Sequence, residues 1–125
     1  MKRMFSHTVG MDHGALELFS DFQCVGDMWT GTGPRKVSHA VEFSEAFAAQ
    51  PMVNVSLAMW DMVSDSYARA VIRAENVTQT GFDLVFRTWS VTRVGRVSAR
   101  WLAIGGVAHP EQWDIHLRLR LMPVS

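Results

Sequence analysis

Alternation of apolar and polar positions is the main pattern in the middle of the chain. The longest such run extends from Ala68 to Gly105 and divides at turn-forming residues into Ala68–Val77, Phe82–Trp89 and Val94–Ile104. Side chains along a strand point alternately to opposite faces, so a period of two residues indicates a strand with one face in a core. The run is therefore predicted to form three consecutive β-strands.

Four further segments alternate in the same way and flank this run: Gly14–Phe22, Val37–Phe43, Met52–Met62 and Trp113–Leu121. No segment of helical length has an apolar stripe at the spacing of a helix. About seven short strands separated by turns predict an all-β chain, a six- to seven-stranded antiparallel β-sandwich, in a single domain over residues 1–125.

The last of these segments has the most regular alternation in the chain. Its two rows are Trp113, Ile115, Leu117, Leu119 and Leu121 against Asp114, His116, Arg118 and Arg120. An uncovered strand of this length invites edge-to-edge aggregation. We therefore expect it either to pair with Gly14–Phe22 or to pack at a subunit interface.

The connecting segments are recognised by their turn residues. Gly26–Lys36 is rich in Gly and Thr and contains Pro34, so it is predicted to be a loop. The segment Asp61–Ser66 is polar and is also predicted to be a turn, in which Asp61 accepts a hydrogen bond from turn amides. Residues 1–13 have no clear pattern and are expected to form a loosely packed tail.

The charge balance and the cysteine content exclude several classes of protein. Twelve basic and twelve acidic residues give a formal net charge of zero, whereas nucleic-acid binders usually have a basic excess. A chain near its isoelectric point lacks long-range repulsion between copies, which permits self-association. The single cysteine, Cys24, rules out an intrachain disulfide and a multi-cysteine zinc site.

The amino-terminal sequence MKRMFSHTVGMDHG has no apolar run of the length found in secretory signals. No stretch approaches the roughly 20 apolar residues of a membrane helix. We therefore expect a soluble protein without membrane insertion and with a cytoplasmic location by default.

The residues needed for catalysis or metal binding are scattered. The five histidines are His7, His13, His39, His109 and His116, and none has a partner at ligand spacing. The sequence contains no nucleophile elbow, phosphate-binding loop or paired carboxylates. The sequence therefore predicts no catalytic residues, no metal and no cofactor. An enzymatic hypothesis would need a metal bound by His39 or His116.

Trp89 is an aromatic residue on the otherwise polar row of its strand, at the end of that strand. Arg69 lies at the start of the preceding strand, within reach of it. An arginine fork donates hydrogen bonds to hydroxyl pairs, and an indole offers a flat apolar surface, so the two residues suit a sugar. The alternative is that Trp89 packs in the core or at a subunit interface and that Arg69 is a solvated charge.

The segment from Val41 to Gly105 resembles the H-type lectin domain, the family of snail agglutinins and of the C-terminal domain of discoidins. The matching stretches are VEFSEAFAAQPMVNVSLAMWD with its pair Phe43 and Phe47, ARAVIRAENVTQTGF, TWSVTRV and SARWLAIG. The loop GDMWTGTGPR also resembles the segment before the second strand in bacterial members.

This resemblance implies a lectin-like core over about residues 14–105, with an additional C-terminal strand over about 111–122. It implies a homo-trimer, or two stacked trimers forming a hexamer. It also implies calcium-independent binding of galactose-type sugars, chiefly N-acetylgalactosamine, in clefts between subunits. The sugar-contacting arginine of the family falls on Arg69 and its tryptophan on Trp89, and the Trp29–Gly33 loop is expected to close the site.

Three other contact positions of the family differ in this chain. The histidine after the tryptophan is replaced by Ser90, and a tyrosine later in the same loop falls on Gly95. The acidic residue before the second strand falls near Thr32, with Asp27 the closest carboxylate. These differences leave a second hypothesis open: a structural or assembly adaptor that has kept the lectin fold and lost sugar binding, exported by a leaderless route or carried in a larger particle.

Overall fold

Two three-stranded antiparallel sheets pack face to face in the computed structural model, which describes residues 1–3, 8–20, 28, 33–63, 69–89 and 93–108. The strands are β1 Thr8–Ser20, β2 Arg35–Glu42, β3 Met52–Val63, β4 Ala70–Glu75, β5 Gly81–Thr88 and β6 Arg93–Val107. One sheet has the order β1-β6-β3 and the other the order β2-β5-β4. This arrangement confirms the predicted all-β sandwich.

The first strand begins earlier than predicted. Thr8 already pairs with Val107, so the expectation of a loosely packed tail over residues 1–13 is wrong from Thr8 onward. The inward positions of this part of β1 are not apolar, which hid the strand. A Cβ on Gly14 would lie 2.7 Å from Nε1 of Trp101, so only glycine leaves room for this core indole.

Asp12 is a second unusual residue in β1, because it pairs with the buried Ala103 yet carries a charge. Its carboxylate accepts hydrogen bonds from the Ser44 amide at 2.8 Å and from the Ser44 hydroxyl at 3.0 Å. The amide bond is the main cause that lowers the pKa of Asp12. Asp12 thereby ties β1 to the segment that follows β2.

A β-bulge interrupts the alternation near the end of β1, between Glu17 and Phe19. Leu18 is buried, and Phe19 also packs on the core with its ring 5.7 Å from that of Phe86. The bulge leaves the Leu18 carbonyl outside the ladder. Nε2 of His39 lies 2.7 Å from this oxygen and donates to it, so His39 has a structural role here.

An aromatic cluster joins the two sheets at the centre of the core. The Phe43 ring lies 5.0 Å from Phe47, edge to face, and 5.8 Å from both Phe82 and Trp101. Such tilted pairs contribute more than their buried area alone. The amides of Phe43 and Phe47 donate to carbonyls in the turn between β4 and β5, each at 2.9 Å. The aromatic pair seen in the sequence therefore fixes this turn against the core.

The turn between β4 and β5 sets the register of both strands. Asn76 has a φ of 52°, in the left-handed region, and its side-chain amide donates to Asp83 at 2.9 Å. Gly81 lies so close to β2 that a Cβ there would be 2.2 Å from the carbonyl oxygen of Val41. Because of this turn, the first pair of the β4–β5 ladder is Glu75 with Asp83, and the last pair is Ala70 with Thr88.

The predicted turn Asp61–Ser66 is wrong at its start, and so is the loop position that the resemblance implied for Gly95. Asp61 lies inside β3, and its Oδ2 accepts hydrogen bonds from Nε and Nη2 of Arg96, each at 3.3 Å. Gly95 lies inside β6 and is buried, not in a loop after Trp89. The ladder skips Gly95 between Arg96 and Val94, so the alternation is irregular at the start of β6, which the sequence had predicted from Val94.

Several predictions fall outside the described residues and stay predictions. They concern Cys24 and the strand Trp113–Leu121. Among the described residues, no helix is long and apolar enough to cross a membrane. No group of three His, Cys, Asp or Glu side chains in that same part of the chain could hold a metal.

Candidate functional site

Arg69 and Trp89 lie directly opposite one another at the end of the β4–β5 ladder. The last pair of the ladder is Ala70 with Thr88, and the next residues outward are Arg69 and Trp89. The Thr88 hydroxyl donates to the Arg69 carbonyl at 2.5 Å, and Thr88 is completely buried. A buried side chain therefore fixes the backbone of Arg69 beside Trp89.

The two side chains belong to the outer face of the sheet β2-β5-β4. Thr88 points into the core with Phe86, so by alternation Trp89 points outward. Arg69 is exposed and Trp89 is half-buried. The position of Trp89 on the polar row, noted in the sequence, thus corresponds to an aromatic ring on the surface rather than in the core.

An open depression of about 460 Å³ lies at this place, lined by Arg69, Ala70, Val71 and Trp89. Its volume is in the range of small-molecule sites, roughly 300–1,000 Å³. The indole and the two small apolar side chains provide an apolar surface, and the guanidinium adds several hydrogen-bond donors. This combination suits a ligand with one apolar face and a rim of hydroxyls.

An ion pair supports the two strands below the depression. Nη1 of Arg87 lies 2.7 Å from Oε1 of Glu75, and Nη2 lies 3.4 Å from Oε2. The hydrogen bond from Arg87 lowers the pKa of Glu75 and raises the pKa of Arg87. The pair crosses from β5 to β4 at the level of Val85, which is only 1% exposed although it faces outward. The pair therefore links the two strands that end at Arg69 and Trp89.

Arg35 lies at the same end of the sheet β2-β5-β4 as the candidate site, and the sequence interpretation missed its role. It is the first residue of β2 and pairs with Thr88. Its Nε donates to the Gly33 carbonyl at 3.1 Å and its Nη1 to the Met28 carbonyl at 3.0 Å. Met28 and Gly33, the described residues on either side of positions 29–32, are thus both hydrogen-bonded to Arg35. The sequence feature that could have revealed Arg35 is its charge at a position on the inward row of β2.

The structure brings together Arg69 and Trp89, as the sequence predicted. The other four predicted site residues, Asp27, Trp29, Thr32 and Ser90, lie outside the described residues. Because Gly95 is buried in β6, a sugar contact from that position is not available.

A second, smaller depression of about 230 Å³ lies on the other sheet. Its lining residues are His13, Gly14, Asn54, Ser56, Arg100, Trp101 and Leu102. Trp101 is only 8% exposed and packs in the core, so this depression has no accessible aromatic face. Of the two depressions, the one at Arg69 and Trp89 therefore has the accessible aromatic face.

A small β-sandwich with an open depression lined by an aromatic ring and an arginine is typical of a ligand-binding domain. Residues 38–104 match the family model of the H-type lectin domain, which is more than half of the chain. The chain belongs to the H-type lectin domain family. Membership in a lectin family indicates carbohydrate binding in general and points to binding rather than catalysis.

Relatives support this assignment at different levels. The chain is 50% identical over 108 residues to the ATP synthase subunits region ORF 7 protein of Fuscovulum blasticum, covering 86% of this chain and 94% of that protein. It is 33% identical over 75 residues to discoidin-1 of Dictyostelium discoideum, covering 59% of this chain but only 30% of that protein.

Solved structures support the fold. Recombinant discoidin II of Dictyostelium discoideum superposes with a TM-score of 0.70 at 24% identity, covering 84% of this chain and 40% of that one. A structure of wild-type discoidin II gives a TM-score of 0.71. The chain thus spans less than half the length of the discoidins that it matches.

Proposed function

We propose that the protein is a lectin that binds galactose-type sugars, such as N-acetylgalactosamine, without calcium. The observation that carries this proposal is the placement of Arg69 opposite Trp89, with Thr88 fixing the two backbones. Both positions match sugar-contacting residues of the family in the sequence resemblance.

Each side chain has a distinct part in the proposed contact. The apolar C–H face of a galactose-type ring packs on the indole of Trp89. The Arg69 guanidinium donates to a pair of hydroxyls or to an acetamido carbonyl. Ala70 and Val71, which also line the depression, lie where they can contact an acetamido methyl group.

The remaining side of the site is assigned to the loop that Arg35 holds. Asp27, Trp29 and Thr32 belong to this loop, and we propose that they complete the site from the same subunit or from a neighbouring one. Ser90, directly after Trp89, can add one hydroxyl donor and acceptor. With Gly95 buried in β6, sugar selectivity depends more strongly on the loop.

An open site with few contacts implies weak binding at each copy. Several linked sites compensate for this, because the second contact becomes intramolecular. We therefore propose a homo-trimer or hexamer with sites at its subunit interfaces, an assembly suited to adhesion to glycan-covered surfaces. The zero net charge is compatible with such self-association.

The test compares two tryptophan variants in a titration with N-acetylgalactosamine. Trp89→Ala is expected to weaken binding by about tenfold or more, since a stacked ring contributes about 1.5 kcal/mol. Trp60→Ala is the matched control, because Trp60 is 54% exposed but does not line the depression. Equal affinities of the two variants would remove Trp89 from the site.

The second candidate function is an assembly adaptor that has lost sugar binding. Burial of Gly95 favours it, because one family contact is missing at that position. Such an adaptor would belong to a larger particle or an exported complex. A glycan array without any bound galactose-type sugar, together with stable co-purification of a partner, would support the adaptor over the lectin.

A further inference from the structure

Acids and bases occupy different halves of the outer face of the sheet β2-β5-β4. The described acids of this face lie in the half next to the turn between β4 and β5: Glu42, Glu75 and Asp83. Its basic residues lie in the half next to the depression: Lys36, Arg73 and Arg87. We call these three basic residues the basic cluster. Among the described residues, no acid interrupts the outer face between the cluster and the depression.

The strand register places the basic cluster directly beside the depression. Arg87 pairs with Val71, which lines the depression, and with Lys36 on its other side, so these three residues form one row. Arg73 follows Val71 by two residues along β4, a distance of about 7 Å. The cluster therefore adjoins the depression on the side toward the turn between β4 and β5, without lining it.

Only one member of the basic cluster is neutralised by an ion pair. Arg87 is bound to Glu75, with Nη1 2.7 Å from Oε1. The side chains of Lys36 and Arg73 are exposed, and neither forms a hydrogen bond or an ion pair with another described residue. The pKa of Glu75 is lowered first by its hydrogen bond with Arg87 and further by the charges of Lys36 and Arg73. All three cations thus act on one acid, and positive charge is in excess beside the depression.

We propose that the sugar site prefers acidic glycans, in which a sulfate ester or a carboxylate next to the galactose-type ring binds Lys36 and Arg73. This inference rests on the proposed lectin function, because the ring itself occupies the depression. The arginine fork and the lysine ammonium form charge-assisted hydrogen bonds with such anionic oxygens. Neighbouring cations also raise the local concentration of an anionic ligand.

The position of the basic cluster and the overall charge favour an acidic glycan over a nucleic acid. A nucleic-acid surface is accompanied by a basic excess of the whole domain, whereas this chain has a formal net charge of zero. The cluster is also continuous with the apolar wall of the depression at Val71. A ligand that spans both therefore combines a ring for the depression with an acid for the cluster.

The first test compares the affinities for galactose, galactose 3-sulfate, galactose 6-sulfate and a sialylated galactose by titration. At least one acidic ligand is expected to bind about threefold to tenfold more tightly than galactose in low salt, and the tighter ligand identifies the acid. The preference should disappear in about 1 M salt, where the Debye length is about 3 Å. Binding of galactose without a preference for any acidic ligand would overturn the inference. Absence of binding to every ligand, galactose included, would instead refute the lectin function and this inference with it.

The second test removes the two exposed cations. The double variant Lys36→Gln with Arg73→Gln should lose the preference for the acidic ligand and keep its affinity for galactose, since neither residue lines the depression. Lys2→Gln is the matched control, because it also removes a positive charge but lies at the other end of the sandwich, where Lys2 donates to the Gln50 carbonyl before β3 begins. A preference that survives the double variant, or that the control also loses, would contradict the assignment.

Two further variants test the sign of the effect and the position of the ring. Glu75→Gln removes a negative charge that opposes the acidic ligand, so the affinity for this ligand should rise by about twofold to fivefold. Damage to the fold would lower the affinity instead, so a rise distinguishes an electrostatic cause. Trp89→Ala should weaken binding of the acidic ligand and of galactose alike. An unchanged affinity for the acidic ligand in either variant would place the anion away from the sugar site and overturn the inference.

Discussion

Thr88 connects the stability of the sandwich to the geometry of the candidate site. Its hydroxyl is fully buried and donates to the Arg69 carbonyl at 2.5 Å. Thr88→Val keeps the shape of the side chain and removes only this hydrogen bond. A buried hydrogen bond contributes about 1 kcal/mol to folding, so a loss of about that size is expected, or a decrease of roughly 3–5 °C in Tm for a domain of this length.

The same substitution should also weaken sugar binding. Without the hydrogen bond from Thr88, the Arg69 backbone is no longer fixed beside Trp89. The guanidinium must then be ordered when the ligand binds. Hydrogen bonds to a charged group contribute about 1.5–3 kcal/mol, so losing half of that corresponds to a decrease in affinity of about threefold to tenfold. The two effects are measured by chemical denaturation and by titration with N-acetylgalactosamine.

Thr88→Ser is the matched control for this prediction. It keeps the hydroxyl and removes one buried methyl group, which costs about 1 kcal/mol of stability. The two variants should therefore be destabilised to a similar extent, while only Thr88→Val loses affinity. Equal affinities for the two variants would refute the role of the hydroxyl in positioning Arg69.

Two further predictions concern the site strands. The pKa of Glu75 is lowered from 4.5 by its hydrogen bond with Arg87, so the stabilisation is present above pH 4.5 and disappears as the pH falls through the lower folded-state pKa. The difference in unfolding free energy between wild type and Glu75→Gln should shrink across that range in acid denaturation series, and a constant difference would contradict it. Gly81→Ala should cost at least about 2 kcal/mol in urea denaturation, because its Cβ would lie 2.2 Å from the Val41 carbonyl oxygen; full stability would refute the close approach.

Strand alternation made most of the fold predictable from the sequence. It failed where inward positions are not apolar or where the ladder contains an extra residue. Gly14 belongs to an inward row, but its purpose is to leave space for Trp101, which no local pattern reveals. The bulge at Leu18 turns two successive side chains toward the core, and this change in period depends on the partner strand.

The candidate site was predictable to a similar extent. Trp89 stood out because it is apolar on a polar row, and the register then placed Arg69 opposite it. Arg35 was not recognised, because it donates hydrogen bonds to the carbonyls of Met28 and Gly33. Every residue has a backbone carbonyl, so the sequence does not indicate which of them an arginine will bind.

The attachment of the loop by Arg35 has a consequence for how this site can diverge. Arg35 and Ala70 flank Thr88 on the two sides of β5, so β2 carries the loop and β4 carries Arg69. Because Arg35 binds main-chain oxygens, the anchor places no demand on which side chains occur between Met28 and Gly33. Substitutions of the side chains between Met28 and Gly33 would therefore leave both hydrogen bonds of Arg35 intact.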